Sequence, residues 1–240
     1  MQHDDGETTM TKTTCGNTGF HQQLLESTEI ARQSIYQIDF LQRGIQGQLS
    51  LHEYVGFLTQ AYHHVKHTVP LLMACGSRLR DDQEWLRVAI AEYIEEETGH
   101  QEWILNDIAA CGADAEKART SQPNQSTELM VAYAYDAVAR RNPLGFFGMV
   151  QVLEGTSIAV ADEAASAIRQ SLGLPRKAFT YLSSHGSLDV EHVEFFKGLM
   201  NRIDNPEDQK AITHCANVFY KLYGDIFREL GNAACAKIAA

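Results

Sequence analysis

The sequence is poor in basic residues. It contains 20 lysines and arginines against 31 aspartates and glutamates, so its formal net charge is −11 at pH 7. A protein that mainly binds nucleic acid or an anionic membrane needs a basic surface that contacts phosphates. The charge balance argues against both function classes, and we expect neither a nucleic-acid nor a membrane partner.

Cysteine is scarce and widely scattered. The five cysteines form no CxxC pair; they are Cys15, Cys75, Cys111, Cys215 and Cys235. This distribution is typical of reduced thiols in a cytosolic protein. The first 18 residues are polar and lack the basic and apolar regions of a signal peptide. We therefore expect a cytoplasmic protein with a loose N-terminal tail.

Two further absences concern the fold. No apolar run approaches the roughly 18 residues of a membrane span, and no segment alternates β-branched and polar residues between turn signals. Apolar residues instead recur every three or four positions, as they do in amphipathic helices. A chain of 240 residues is long enough for one large core. We predict an all-α single domain of seven or eight helices over 20–231, with tails at 1–19 and 232–240.

The helix limits follow from capping residues and breakers. Ser50 and Glu53 form a predicted capping box, Pro70 predicts a kink, and 112–125 is the clearest predicted loop. Ser126 or Thr127 is the expected cap of the helix after that loop. The predicted helices cover 20–46, 51–76, 81–111, 127–141, 144–172, 175–203 and 207–230.

The most informative segment is 183–196, with the sequence SSHGSLDVEHVEFF. Its residues His185, Asp189 and His192 are spaced i, i+4 and i+7, which places them on one stripe of a helix. The stripe continues through three apolar residues, Phe196, Leu199 and Ile203, so it is predicted to face the core. Two imidazoles and a carboxylate directed into a core are typical of a metal site. The alternative is a helix whose polar side chains are satisfied by neighbours or water.

A second segment offers Glu97 and His100. They lie in the middle of an inward stripe whose other members are Ala89, Tyr93, Ile104 and Ile108. A Glu and a His at i and i+3 form a known metal motif of helix bundles. Glu96 lies one position off the stripe and is the alternative ligand, whereas Glu92 and Glu95 are expected to be solvated.

A third segment places Glu154 among apolar residues. Its predicted inward line also contains Phe147, Val150 and Ile158. An ionised carboxylate there costs several kcal/mol unless it is paired or bound to a cation. The alternatives for Glu154 are a salt bridge with a nearby arginine and a raised pKa.

Together the candidates comprise three carboxylates and three imidazoles: Glu97, His100, Glu154, His185, Asp189 and His192. With neutral histidines the set carries a charge of about −3, which two divalent cations would more than balance. Oxygen and nitrogen ligands without a thiolate favour iron or manganese over a structural zinc.

These three segments resemble the haem-oxygenase-like di-iron oxidases, a branch of the superfamily that includes haem oxygenase, the TenA thiaminases and pyrroloquinoline-quinone synthase. The family pattern is a Glu and a His on one helix, a Glu on a second, and HxxxDxxH on a third. Here these are ETGH, LEGTS and HGSLDVEH, and the resemblance covers 20–230. It implies a haem-oxygenase-like bundle and a di-iron centre held by the six candidate ligands.

The resemblance also implies the chemistry. Family members use dioxygen and a di-iron centre, through a peroxo species, to oxidise fatty acids, amines, guanidines or amino acids. We therefore expect a non-haem di-iron oxidase or oxygenase with a small organic substrate on the side of Phe146, Phe147 and Val150. Two iron ions (or manganese), dioxygen and an external reductant are the implied cofactors and partners, and a homodimer is left open.

Three other interpretations remain. His63, His64 and His67 could bind a metal or face a haem, although one of them is expected to pack near the site and the others to be exposed. A TenA-like thiaminase would need an activated cysteine, for which Cys111 and Cys215 are the candidates. A non-catalytic binding or regulatory protein on the same fold is the third.

Overall fold

The computed structural model describes residues 19–187 and 189–238, and within these it leaves out the side chains of 184–192 and 234–238. The described chain is helical and contains no β-strand, which confirms the all-α prediction. Three short 3-10 helices, at Asp81–Gln83, Pro143–Gly145 and Arg176–Ala178, accompany the α-helices. The α-helices are α1 (Phe20–Ser27), α2 (Glu29–Tyr36), α3 (Asp39–Ile45), α4 (Leu51–Val65), α5 (Thr68–Gly76), α6 (Glu84–Glu97), α7 (His100–Ala110), α8 (Ala115–Thr120), α9 (Gln125–Arg140), α10 (Phe146–Leu172), α11 (Thr180–Ser187), α12 (Asp189–Arg202) and α13 (Pro206–Ile238).

Several predicted helices are interrupted, so the count of seven or eight was too low. The predicted helix over 20–46 divides at Thr28 and at Ile38. The Thr28 hydroxyl donates a hydrogen bond to the Leu24 carbonyl at 2.8 Å, a local bond that competes with helix continuation. Ile38 has an extended backbone with ψ of 125°.

The helix predicted over 51–76 begins where predicted, but it is interrupted before the predicted position. Glu53 and Ser50 form the capping box, with the Glu53 amide 3.3 Å from the Ser50 hydroxyl. The chain breaks at Lys66 and His67, before Pro70, so the predicted kink at Pro70 was wrong. Pro70 lies in the first turn of α5, where its missing N–H costs no helical hydrogen bond.

The third predicted helix is two helices. α6 ends at Glu97 and α7 begins at His100, because Gly99 between them has φ of +99°. This left-handed conformation favours glycine and ends a right-handed helix.

Later limits also moved. The predicted loop 112–125 contains α8, whose first turn is capped by the Asp114 carboxylate. The cap of α9 is Asn124, which accepts a hydrogen bond from the Thr127 amide, and not Ser126 or Thr127. α13 was predicted to end before Gly231 and continues to Ile238.

Helix α10 lies at the centre of the packing. It contacts α3, α9, α11, α12 and α13, and a Cβ at Gly148 would lie 2.5 Å from the Ala216 amide nitrogen of α13. The segment Pro143–Leu172 is long and apolar enough to cross a membrane, but most of its most apolar stretch is buried in the protein. A core helix passes the same test, so this is weak evidence for a membrane span. Its apolar surface lines the cavity described below.

Candidate metal and substrate site

A large cavity lies along α10. The empty space within it, counted together with the open solvent at its mouth, is about 1200 Å³. Residues of α3, α4, α5, α6, α10, α11 and α13 line it. Most of the lining residues are aliphatic or aromatic. The lining also includes two of the candidate ligands, Glu97 and Glu154. The cavity thus combines an apolar wall with two carboxylates.

Glu97 and His100 are in direct contact although they belong to different helices. The Glu97 Oε2 atom lies 3.0 Å from the His100 Nδ1 atom, and the two side chains are 19% and 7% exposed. The His100 ring packs on Trp103 with 4.2 Å between ring centres. The two candidate ligands are therefore adjacent, as expected, whereas the prediction of one continuous helix through them was wrong. Glu97 lines the cavity, whereas the alternative ligand Glu96 is exposed.

Glu154 lies in the middle of α10 and lines the same cavity. Val150, one turn earlier, also lines it, and Phe147 is fully buried, as the predicted inward line requires. Ile158 was predicted to continue the line and is instead 42% exposed. Four residues exceed one helical turn, so a line of successive four-residue steps rotates out of the cavity. The lining continues through Ser157.

Tyr93 of α6 lies within reach of the charges of both cavity carboxylates, Glu97 and Glu154. It is buried, and its ring packs on Phe195 at 5.5 Å between ring centres. Burial raises the pKa of the Tyr93 hydroxyl, and the negative charges of Glu154, Glu96 and Glu97 raise it further. Glu97 and Glu154 therefore act on the same buried hydroxyl. That hydroxyl has no hydrogen-bond partner within the described part of the chain.

The side chains of His185, Asp189 and His192 lie outside the described residues. The backbone of α11, which carries His185, packs against α10 and α7, and α12, which carries Asp189 and His192, contacts α10. The predicted apolar continuation of the stripe is confirmed, since its three members are buried: Phe196, Leu199 and Ile203.

The N-terminus of α11 is fixed by a residue that the sequence analysis missed. Asp107 of α7 is fully buried, and its carboxylate accepts hydrogen bonds from the amides of Thr180 and Tyr181 at 3.0 and 2.8 Å. The helix that begins with His100 thus also holds the helix that contains His185. In the sequence, the signal for this role was the position of Asp107 next to Ile108, a member of the predicted inward stripe.

The side chains of three of the six candidate ligands, Glu97, His100 and Glu154, are described in the structure. Among the described side chains no group of three or more His, Cys, Asp and Glu residues is placed to hold a metal ion. Half of the six candidates fall outside that set. The described half comprises one imidazole and two carboxylates, which are ligand types that iron accepts. Their residue types suit iron, but Glu97, His100 and Glu154 do not by themselves form such a group.

The three histidines of α4 and its end are more buried than predicted. His63 is 1% exposed, with Nε2 2.9 Å from the Ser121 hydroxyl, so the expectation that it is exposed was wrong. His67 is half-buried beside the Tyr135 hydroxyl at 3.1 Å. His64 is buried and lines the cavity, which confirms that one of the three packs near the site.

The described cysteines are buried. Burial raises the pKa of the Cys111 thiol to about 11, with a contribution from Asp107. Burial also raises the pKa values of Cys75, to about 12, and Cys215. A nucleophilic cysteine needs a lowered pKa, so these three thiols lack that activation.

Comparison with known proteins identifies the family. Residues 55–224 match the family model described as iron-containing redox enzyme. The chain belongs to the iron-containing redox enzyme family. A search of curated proteins found no sequence match. The family description suggests a redox enzyme and an iron cofactor, and its haem-oxygenase-like classification agrees with the resemblance seen in the three sequence segments.

Solved structures show the same fold. A domain from Shewanella denitrificans OS217 with a haem-oxygenase-like fold has a TM-score of 0.82 and 23% identity, covering 89% of this chain and 93% of that chain. A TenA homologue from Pseudomonas syringae pv. tomato has a TM-score of 0.74 and 13% identity, covering 95% and 100%. Haem oxygenase-1 from Synechocystis sp. PCC6803, in complex with haem, has a TM-score of 0.72 and 11% identity, covering 92% and 96%. At these identities the likeness supports the haem-oxygenase-like fold alone.

Proposed function

We propose that this member of the iron-containing redox enzyme family is a non-haem di-iron oxidase or oxygenase that uses dioxygen to oxidise a small organic substrate. The observation that carries the proposal is the placement of Glu97 and Glu154 in the lining of one apolar cavity. Two carboxylates that line one apolar cavity repel each other, and bound divalent cations would offset that repulsion.

The proposed ligands are the six residues identified from the sequence. Glu97 and His100 come from the junction of α6 and α7, Glu154 from α10, and the other three from the segment His185–His192. In the metal-bound protein one nitrogen of His100 would bind metal, and a hydrogen bond at the other would fix the ring. Iron held by these ligands would supply the activation of dioxygen and the redox change. An external reductant would return the iron to its ferrous form.

The protein itself would position the substrate and exclude water. The apolar lining, which includes Phe146, Val150 and Leu153 beside Glu154, would hold an apolar part of the substrate and keep the oxidising centre dry. The buried Tyr93 hydroxyl lies where the charges of Glu97 and Glu154 both act. It could donate a hydrogen bond to a substrate or to a ligand carboxylate.

The competing functions gain less support. A thiaminase of the TenA type needs an activated cysteine, and the raised pKa values of Cys111 and Cys215 weigh against it. In a haem enzyme, a histidine facing the cavity would bind haem iron; His64 occupies such a position, but the cavity also contains two carboxylates. A binding or regulatory protein would have no need of redox-active iron.

Anaerobic reconstitution followed by exposure to oxygen tests the proposal. Purified protein is loaded with ferrous iron, freed of excess metal, assayed for iron and mixed with dioxygen while its optical spectrum is recorded. We expect about two irons per chain and an oxygen-dependent optical change. Both should be lost in Glu154→Ala and His100→Ala and kept in Glu92→Ala, an exposed acid on α6. A protein that takes up no iron, or that binds haem and no free iron, would contradict the proposal.

A further inference from the structure

The residues that line the cavity extend far along α10. Its lining on α10 extends from Phe146 to Ile168, a distance of roughly 33 Å at 1.5 Å per residue. Glu154 is about 12 Å from the first of these residues and about 21 Å from the second by the same measure. The longer part of this lining therefore lies between Glu154 and the C-terminal end of α10.

This longer part, which we call the tail arm, lies between α3 and α10. Its lining comprises Gly44, Val160, Ala161, Ala164 and Ile168. These residues are small or aliphatic, and their side chains offer no partner for a polar group. No lysine or arginine lines the cavity within the described residues.

The far end of the tail arm is bounded by backbone. Gly47 follows α3 with φ of +66°, and a Cβ there would lie 2.7 Å from the Ala167 carbonyl oxygen. The chain after α3 therefore lies directly on α10 at this point. Ala167 is adjacent to Ile168, the last residue of α10 in the lining. The contact between Gly47 and Ala167 therefore closes the tail arm and limits the length of a ligand.

We propose that the tail arm binds an unbranched aliphatic chain whose polar head lies beside Glu97 and Glu154. This inference rests on the proposed function and deepens it, because it names the substrate class of the same site. A ligand of amino-acid size at the carboxylates would leave the arm unfilled. A linear chain covers its aliphatic wall and gains affinity with each methylene that it buries.

Calorimetric titration of chains of increasing length tests the inference. Linear alkylamines are titrated into metal-free protein, where the two carboxylates favour a cationic head. Linear alkanoates are titrated into iron-loaded protein, where the bound metal favours an anionic head. Linear alcohols, whose head is neutral, are titrated into both forms. Affinity should rise by up to roughly fourfold per methylene until the arm is full, with a similar slope in each series. An affinity that is independent of chain length, or no binding in any series, would overturn the inference.

Variants locate the chain. Ala164→Phe fills the tail arm and should move the length limit to shorter chains, and Gly44→Val should do the same from α3, where a Cβ would be 3.6 Å from Leu49. The control is Ala159→Leu at an exposed position of α10, which should bind like the unaltered protein. Circular dichroism shows whether each variant folds. If only one of Ala164→Phe and Gly44→Val folds, the length limit is measured in that variant alone. Unchanged length limits in the folded variants would place the chain elsewhere and refute the inference.

The two proposals fail separately. A protein that takes up iron and consumes dioxygen but binds none of the chains retains the proposed function and loses the tail arm. A protein that binds the alkylamines and alcohols with the predicted slope but takes up no iron retains the tail arm and loses the oxidase function.

Discussion

The carboxylate of Asp107 accepts a hydrogen bond from the backbone amide of Tyr181 at 2.8 Å, across the contact between α7 and α11. A second bond comes from the amide of Thr180 at 3.0 Å. The first amides of a helix have no partner within the helix, and a negative charge there is favourable. Burial raises the pKa of Asp107, and these hydrogen bonds partly offset the rise. One side chain thus sets where the helix of His185 begins.

Replacement of Asp107 by alanine should weaken both the fold and iron binding. Unpaired buried amides cost about 1–3 kcal/mol in free energy of unfolding, and α11 would lose its anchor. Asp107→Asn keeps an acceptor and should recover part of each loss. Urea unfolding and anaerobic iron titration measure the two effects.

The matched control is Asp114→Ala. Asp114 caps α8 by accepting a hydrogen bond from the Lys117 amide at 3.0 Å, on a helix that carries no candidate ligand. It should lose about 1 kcal/mol of stability and bind iron normally. Normal iron binding by Asp107→Ala would show that the anchor does not position the ligands.

Gly99→Ala should disturb the junction between Glu97 and His100. With φ of +99° and no atom within 4 Å of an added Cβ, its cost is conformational, about 1–2 kcal/mol. Gly112 has φ of +77° and equally open surroundings, so Gly112→Ala should lose similar stability. Iron titration should separate them, with weaker binding in Gly99→Ala alone. Equal iron binding in the two variants would mean that the junction can change without moving the ligands.

Tyr54→Phe should lose stability, whereas Tyr93→Phe should not. The Tyr54 hydroxyl donates to the Ala178 carbonyl at 2.8 Å, and its loss should cost about 1 kcal/mol. The Tyr93 hydroxyl has no partner within the described residues, so its removal should leave the free energy of unfolding unchanged or raise it. Oxygen consumption by iron-loaded Tyr93→Phe should fall if the hydroxyl contacts substrate. A large loss of stability in Tyr93→Phe would reveal a partner for the hydroxyl.

Acid should destabilise the protein through His63. Burial, with the positive charge of Lys66, lowers the pKa of His63 to about 4. Between about pH 6.5 and pH 4 the unfolded chain binds a proton that folded His63 does not. The free energy of unfolding therefore falls as the pH is lowered through this window, by at most about 1.4 kcal/mol per pH unit from this residue.

Urea unfolding at several pH values measures this contribution. His63→Gln should show a shallower dependence than the unaltered protein, although His21 and His67, whose pKa values burial also lowers, add to the slope. His214→Gln, at an exposed position, should retain the full slope. An unchanged slope in His63→Gln would mean that folding does not lower the pKa of His63.

Local patterns in the sequence predicted much of the fold. The capping box of Ser50 and Glu53 and the end of α10 at Gly173 depend on neighbouring residues alone, and both were confirmed. The division of 20–46 depends on a hydroxyl that bonds its own helix at Thr28, which hydrophobic periodicity does not reveal. Gly99 was read as part of a helix because a single glycine is tolerated there.

The site was predictable where ligands share a local motif and unpredictable where distant elements meet. The spacing of three residues correctly predicted that Glu97 and His100 are adjacent, although the helix break at Gly99 lies between them. The bonds from Asp107 to Thr180 and Tyr181 join positions more than 70 residues apart. The tail arm likewise depends on how α3 approaches α10, and no single segment encodes it.

Anomalous diffraction at the iron absorption edge, from crystals grown with ferrous iron without oxygen, tests the central claim most directly. We predict two neighbouring iron peaks, bounded by Glu97, His100 and Glu154 on one side and by His185, Asp189 and His192 on the other. Their absence, or an iron peak bound only by His64, would contradict the di-iron account.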